Sequence, residues 1–302
     1  MHLLGFLMLG FAPGIFWLWL IYQRDKYIPA PIHLVVRTFL WGIAVAFPVA
    51  IVEAVLIGIV GVDNKHLSMP GRSTLVEIAY ISFIVAGGTE ELAKYLVIKK
   101  TVFDSPYLRQ PLDGIIFSAA AALGFASIEN VLYIFSFRPA VILVRGPFST
   151  LAHMLFSVTF GYALGARKMG KLWPQAPVLT LIAAMTLHGL FDYLLLSNPY
   201  YRPWALVLFL ALAILFFPIL RLAQRQSPYR GKVAAIWVSC ANCTKQSGYG
   251  STYCTACGFS LASAKSGTLM VCGQCHSPVG TSHHFCISCG SRLDRKLVSA
   301  DV

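Results

Sequence analysis

DGIIFSAAAALGFASIENVLYI, residues 113–134, is a 22-residue stretch whose only charges are Asp113 at its start and Glu129 near its end. About 20 apolar helical residues cross a bilayer, so this reads as a membrane span carrying one buried acid. Six further stretches have the same character. The spans are expected near 3–22, 36–60, 76–99, 114–137, 141–166, 175–197 and 203–221. The first lacks a basic leader and a small-residue cleavage site, which reads as a retained helix rather than a signal peptide.

Composition agrees. Of 302 residues 57% are hydrophobic and 12% charged, half the charge a soluble domain of this size carries. That excludes a soluble globule, and the hydrophobicity excludes disorder. The fold class is an all-α polytopic membrane protein of seven helices with a small C-terminal domain. The boundaries are 1–222 for the membrane domain, 223–236 for a basic linker, 237–296 for the cysteine-rich domain and 297–302 for a tail.

The net charge of +12 belongs to the loops. Loops 1–2, 3–4 and 5–6 and the segment after helix seven hold thirteen Lys and Arg, from Arg24 to Lys232. The opposite loops hold five: Lys65, Arg72, Arg138, Arg145 and Arg202. Positive residues stay cytoplasmic, so the N-terminus is expected outside and the C-terminus inside the plasma membrane.

All eight cysteines lie at or after position 240. Cys240-x2-Cys243-x10-Cys254-x2-Cys257-Gly258 recurs 32 residues later as Cys272-x2-Cys275-x10-Cys286-x2-Cys289-Gly290. Two CxxC turns present four thiolates to one tetrahedral Zn2+, and the closed coordination makes each ion structural. The alternative, disulfides, conflicts with a reducing cytoplasm. The tail resembles a double zinc ribbon, with His276, His283 and His284 as surface residues. Its basic residues, Lys245, Lys265, Arg292, Arg295 and Lys296, are too sparse for a phosphate-binding face, which argues for a protein partner over nucleic acid.

Ionisable side chains inside the bilayer are costly and mark function. Glu90, Glu91 and Lys94 share one helix at i, i+3 and i+4 spacing; His188 and Asp192 are four apart on another. Glu129 and His153 lie on two more helices, and Glu53 has no partner pattern. At about 1.5 Å per residue, Glu90, Glu129, His153 and His188 each fall about 20 Å from the cytoplasmic end. Acids and imidazoles in one layer suit hydrolysis: a base takes a proton from water and donors stabilise the tetrahedral oxyanion. The plainer alternative is a set of polar pairs joining helices.

GGTEELAKYLVIK, DGIIFSAAAALGFASIENVLYI, the segment around LAHMLFSVTFGYALG and LHGLFDYLL resemble, in order, the four motifs of the PrsW family of intramembrane proteases. The motifs fall on Glu90, Glu91 and Lys94; Phe125, Glu129 and Asn130; His153; and His188 with Asp192. YQRDKYIPAP resembles an early loop of the family, with Ala30 where an acid is common. The resemblance covers residues 1–220 and leaves out the tail. It is a family related to the CAAX prenyl endopeptidases, in which histidine replaces the third acid, and is described both as glutamic and as metallo-type. It implies cleavage of membrane-anchored proteins such as anti-sigma factors in a bacterial or archaeal host. On this basis Glu90 or Glu91 activates water with Lys94 tuning the pair. Glu129, His153 and His188 orient water or stabilise the oxyanion, Asp192 orients His188, and Asn130 gives substrate a hydrogen bond. Two alternatives keep the same residues: a third, catalytic metal on His153, His188 and a glutamate, and a non-catalytic sensor whose ribbons recruit partners.

The orientation is checked with the native cysteines, since all lie in the tail. An impermeant thiol reagent applied to intact cells, with zinc removed, should leave them unlabelled; efficient labelling would place the tail outside.

Overall fold

The computed structural model describes residues 3–25, 27–61, 74–137 and 139–229, and in the tail 237–240, 242–248, 256–260, 269–271, 278–280 and 292. The chain forms two compact units, Met1–Ser227 and Pro228–Val302.

The first unit is a bundle of helices. They are α1 (Leu3–Tyr22), α2 (Ile32–Val60), α3 (Leu75–Ala79) running through a π-helical stretch, Tyr80–Gly88, into α4 (Thr89–Thr101), and α5 (Pro111–Ser136). After a 3-10 turn, Pro139–Val141, come a short α6 (Ile142–Val144) and a second π-helical stretch, Arg145–Ser149. These lead into α7 (Thr150–Lys168), then α8 (Ala176–Leu196) and α9 (Arg202–Arg225). Six spans among the described residues are long and apolar enough to cross a membrane. The seventh rod, Leu75–Thr101, has the length but carries Glu77, Glu90, Glu91, Lys94, Lys99 and Lys100. Large apolar side chains such as Ile51, Ile59, Val76 and Ile214 point outward, as lipid-facing residues do.

The stretch 113–134 becomes the central helix. α5 packs against α1, α2 and α7 and is buried along most of its length. Pro111 fills its first turn, and Gln110 and Asp113 cap it reciprocally. Small residues let neighbouring backbones touch it. A Cβ on Gly124 would overlap the Phe39 carbonyl, one on Gly42 that of Ala121, and one on Gly114 that of Gly161. Such close approach is how helices bind one another where lipid removes the hydrophobic drive. A second close approach joins the π-helical stretch to α8, where a Cβ on Gly87 would meet the Met185 carbonyl and the Gly189 amide.

Residues 223–225, expected to open the linker, are the last of α9. α9 runs through Arg225; Ala223 is buried, Gln224 Nε2 donates to the Arg24 carbonyl (3.0 Å), and Tyr162 hydroxyl to Gln226 Oε1 (3.1 Å). Ser227 Oγ donates to Gln110 Oε1 at 2.6 Å. These contacts tie the segment to the bundle and make it part of the first unit.

In the tail, β1 (Trp237–Ser239) pairs antiparallel with β2 (Gln246–Gly248), and β3 (Leu269–Val271) with β4 (Pro278–Gly280). The second hairpin repeats the first at an offset of 32 residues, the period of the cysteines.

Ser227 and Gln110 join a buried polar cluster at one end of the bundle. Gln110 Nε2 donates to Asp25 Oδ1 (3.0 Å) and Asp113 Oδ1 (3.1 Å), and the Ala30 amide to Asp25 Oδ2 (2.9 Å). Burial pushes the Asp25 carboxyl up to about 6, against the Ala30 and Gln110 hydrogen bonds and the Arg109 charge. A raised folded-state value means stability is fully present below the unfolded value near 4 and is lost as pH rises through about 6. The thermal midpoint of the detergent-solubilised protein should therefore fall by several degrees between pH 5 and 7.5. Asp25→Asn should make that fall smaller, and an unchanged slope would show that Asp25 does not contribute to it.

Candidate active site

α4 continues from the π-helical stretch without a break, Gly88 being in helical conformation, so Glu90 and Glu91 sit inside the rod Leu75–Thr101 directly after its wide turns. One turn on, Lys94 is fully buried and directed at both carboxylates. Its Nζ lies 3.0 Å from Glu90 Oε2 and 2.7 Å from Glu91 Oε1. A third partner is His153 Nδ1 on α7 at 3.0 Å, and the Phe125 ring of α5 lies under the ammonium at 4.5 Å. An ammonium has three protons, and three acceptors take them.

The two glutamates are used differently. Glu91 is sealed: besides Lys94, its Oε1 meets His188 Nδ1 of α8 at 3.0 Å, and its Oε2 accepts from Ser157 Oγ of α7 at 2.6 Å. Glu90 Oε2 contacts Lys94 and, at 3.5 Å, His153 Nδ1. Its Oε1 has no hydrogen-bond partner among the described residues.

Each histidine carries a carboxylate on the far side of its ring. His153 Nε2 is 2.9 Å from Glu129 Oε2 on α5, and His188 Nε2 is 3.5 Å from Asp192 Oδ2. The Asp192 contact is the longer of the two, so His188 is held chiefly by Glu91 and by Phe156, stacked on its ring at 4.9 Å. Asn130, expected to serve substrate, is committed within the protein. Its Nδ2 donates to Thr150 Oγ1 (2.9 Å) and the Gly10 carbonyl (3.3 Å), and its Oδ1 accepts from Arg145 Nε (3.1 Å). Glu53, unpartnered in sequence, accepts from Thr89 Oγ1 at 3.2 Å, next to Glu90 in the chain.

The structure thus brings Glu90, Glu91, Lys94, Glu129, His153 and His188 into one buried group from four helices, with Asp192 at its edge. Ser157, Phe156 and Arg145 join it without having been singled out in the sequence. Ser157 stands one helical turn after His153, a spacing that could have pointed to it. Arg145, expected above in a loop, is turned inward and 12% exposed, which takes it out of the charges counted for orientation.

The residues also fit a metal ion. Glu90, Glu91, His153 and His188 can each offer one ligand atom, all within 4.8 Å of one another. Imidazoles backed by carboxylates are the usual support for such a donor set. Lys94 contacts the same carboxylates and His153 Nδ1, so its ammonium and a cation compete for one set of donors.

In the tail, Cys240, Cys243 and Cys257 form a second group that can hold a metal, with Cys240 Sγ and Cys257 Sγ 3.6 Å apart. Thr244 (φ 58°) and Gly258 (φ 71°) each follow a CxxC pair in the left-handed conformation that turns the chain around the site. The Phe259 amide, then the Cys243 thiol, hold the Cys257 thiol below its usual range. Cys254, Cys272, Cys275, Cys286 and Cys289 lie outside the described residues.

The family profile described as PrsW family intramembrane metalloprotease matches residues 30–223. Protease PrsW of Geobacillus kaustophilus is 29% identical over 226 residues, covering 73% of this chain and 91% of the relative. Protease PrsW of Bacillus subtilis is 30% identical over 205 residues (67% and 88%). That of Clostridioides difficile is 32% identical over 213 residues (68% and 83%). No solved structure matches the chain.

Lys94→Met should leave two buried carboxylates without their cation. Breaking a buried pair by removing one partner costs about 3–5 kcal/mol. The variant should therefore lose folded protein in detergent, and adding Glu91→Gln should recover part of it. A wild-type melting curve for Lys94→Met alone would refute this account of the cluster.

Proposed function

The chain belongs to the PrsW family of intramembrane proteases, and we propose that Glu90 is the base with which it turns water on a peptide bond. The protein is a membrane-embedded peptidase whose substrates are membrane proteins. The observation that carries the choice of Glu90 is the contrast within the pair. Glu91 is closed by Lys94, His188 and Ser157, while Glu90 keeps one carboxylate oxygen for water.

In this reading Glu90 takes a proton from water and the hydroxide adds to the scissile carbonyl carbon. To stabilise the tetrahedral oxyanion, Lys94 or His188 exchanges its bond to Glu91 for one to the new oxygen. Glu90 then gives its proton to the leaving amine as the C–N bond breaks. His153 holds the Lys94 ammonium beside Glu90, Glu129 and Asp192 hold the two imidazoles, and Asn130 anchors α5. A second reading is favoured by the four-donor group. Glu90, Glu91, His153 and His188 would hold a divalent ion such as zinc, which when bound supplies a Lewis acid and lowers the pKa of water. The non-catalytic alternative gives way to membership of a protease family.

We read the eight tail cysteines as two structural zinc sites in a cytoplasmic pair of ribbons that binds a protein partner. The N-terminus lies outside, and substrates resemble membrane-anchored anti-sigma factors.

The test uses the full chain in liposomes with a single-span substrate that it cleaves. Glu90→Gln should insert normally and lose cleavage by a factor on the order of 100 or more, the scale for losing a general base. Zinc analysis should give two ions per chain for the first reading. A third ion, lost in Glu90→Gln, would establish the second. Wild-type cleavage by the double Glu90→Gln, Glu91→Gln variant would overturn both, and absence of zinc under reducing conditions would overturn the ribbon assignment.

A further inference from the structure

Arg145 opens the π-helical stretch that leads into α7, and its guanidinium has three partners, all on α5. Nη2 forms an ion pair with Glu129 Oε1 at 2.9 Å without hydrogen-bond alignment, Nε donates to Asn130 Oδ1 at 3.1 Å, and Cζ lies 3.7 Å from the centre of the Tyr133 ring. The other Glu129 oxygen, Oε2, is the one beside His153 Nε2. An unbroken run of contacts therefore leads from Arg145 through Glu129 and His153 to Lys94 and Glu90.

We propose that Arg145 is a positioning residue for peptide hydrolysis, fixing the Glu129 carboxylate against His153 so that Nδ1 of the imidazole faces the Glu90 cluster. The inference rests on the reading of that cluster given above. The chemistry requires arginine rather than any cation. A planar guanidinium can meet a carboxylate with one edge, an amide oxygen with another nitrogen, and an aromatic face with its plane. The lysine ammonium is a point charge and cannot meet all three from this position. Asn130 completes the clamp, because its bonds to Thr150 and the Gly10 carbonyl fix the oxygen that receives Nε. Without Arg145, Glu129 Oε1 loses its charged partner and the carboxylate is free to rotate off the imidazole.

Cleavage by the full chain in liposomes tests this, with kcat and KM measured separately and the thermal midpoint recorded for each variant. Arg145→Met should lower kcat by about 10–100-fold, the range for losing an outer carboxylate–histidine support, with KM changed less than about threefold. Arg145→Lys should recover only a minor part. Since Arg145 acts through Glu129, Arg145→Met should cost less than about twofold more once Glu129→Gln is present. Equal penalties in both backgrounds, or wild-type kcat for Arg145→Met, would overturn the proposal. If Arg145→Met does not fold, the same cycle is read with Arg145→Lys. If Glu129→Gln is too slow for a cycle, Arg145→Gly is assayed with added guanidinium, and failure to regain rate overturns the proposal. Glu90→Gln run alongside separates the two ideas. An active Glu90→Gln defeats the reading of the site, whereas an inactive Glu90→Gln beside an active Arg145→Met defeats only this inference.

Discussion

One buried ammonium organises the membrane domain. Lys94 is fully buried, and an isolated charge in a low-dielectric interior carries a penalty that only close, well-directed partners offset. Its partners come from its own helix and from α7, and they in turn require others. Glu91 draws in His188 and Ser157, His153 draws in Glu129, and Glu129 draws in Arg145. The polar interior is therefore a connected network rather than a set of separate pairs, which a bilayer interior demands of any charge it holds.

The apolar architecture serves that network. α5 can stand at the centre because glycine and alanine let α2 and α7 approach it backbone to backbone, which places Glu129 beside His153. Gly87 and Gly189 do the same for the π-helical stretch and α8, which places His188 on Glu91. Both helices that carry site residues behind a π-helical stretch, α4 and α7, deliver them directly after its wide turns. Such turns recur at functional sites because they re-aim the side chains that follow.

Much of this was legible in the sequence because it is local. The i, i+4 spacings of Glu90 with Lys94 and His188 with Asp192, the apolar length of 113–134 and the 32-residue cysteine period each lie within one element or one repeat. What was not legible depends on pairings between distant elements. Arg145 reads as a loop charge until α5 is known to lie beside it, and Asn130 as a free amide until Gly10 and Thr150 are seen against it. The end of α9 is hidden in the sequence for the same reason. Gln224, Gln226 and Ser227 look like polar linker, yet their hydrogen bonds reach Arg24, Tyr162 and Gln110. Glu90 and Glu91 were indistinguishable as neighbours in sequence; only the position of Ser157 and His188 separates them.

The polarity of α4 bears on how the protein is made. Glu90, Glu91 and Lys94 would each cost about 2.5–3.5 kcal/mol near the centre of a lone inserting helix, more than the apolar residues around them return. Lys94 relieves part of this burden within the helix, and the remaining partners, on α5, α7 and α8, lie later in the chain and leave the ribosome afterwards. The rod Leu75–Thr101 is therefore fully satisfied in lipid only once the helix bearing His188 has followed it, which ties more than a hundred residues of chain into one unit of insertion.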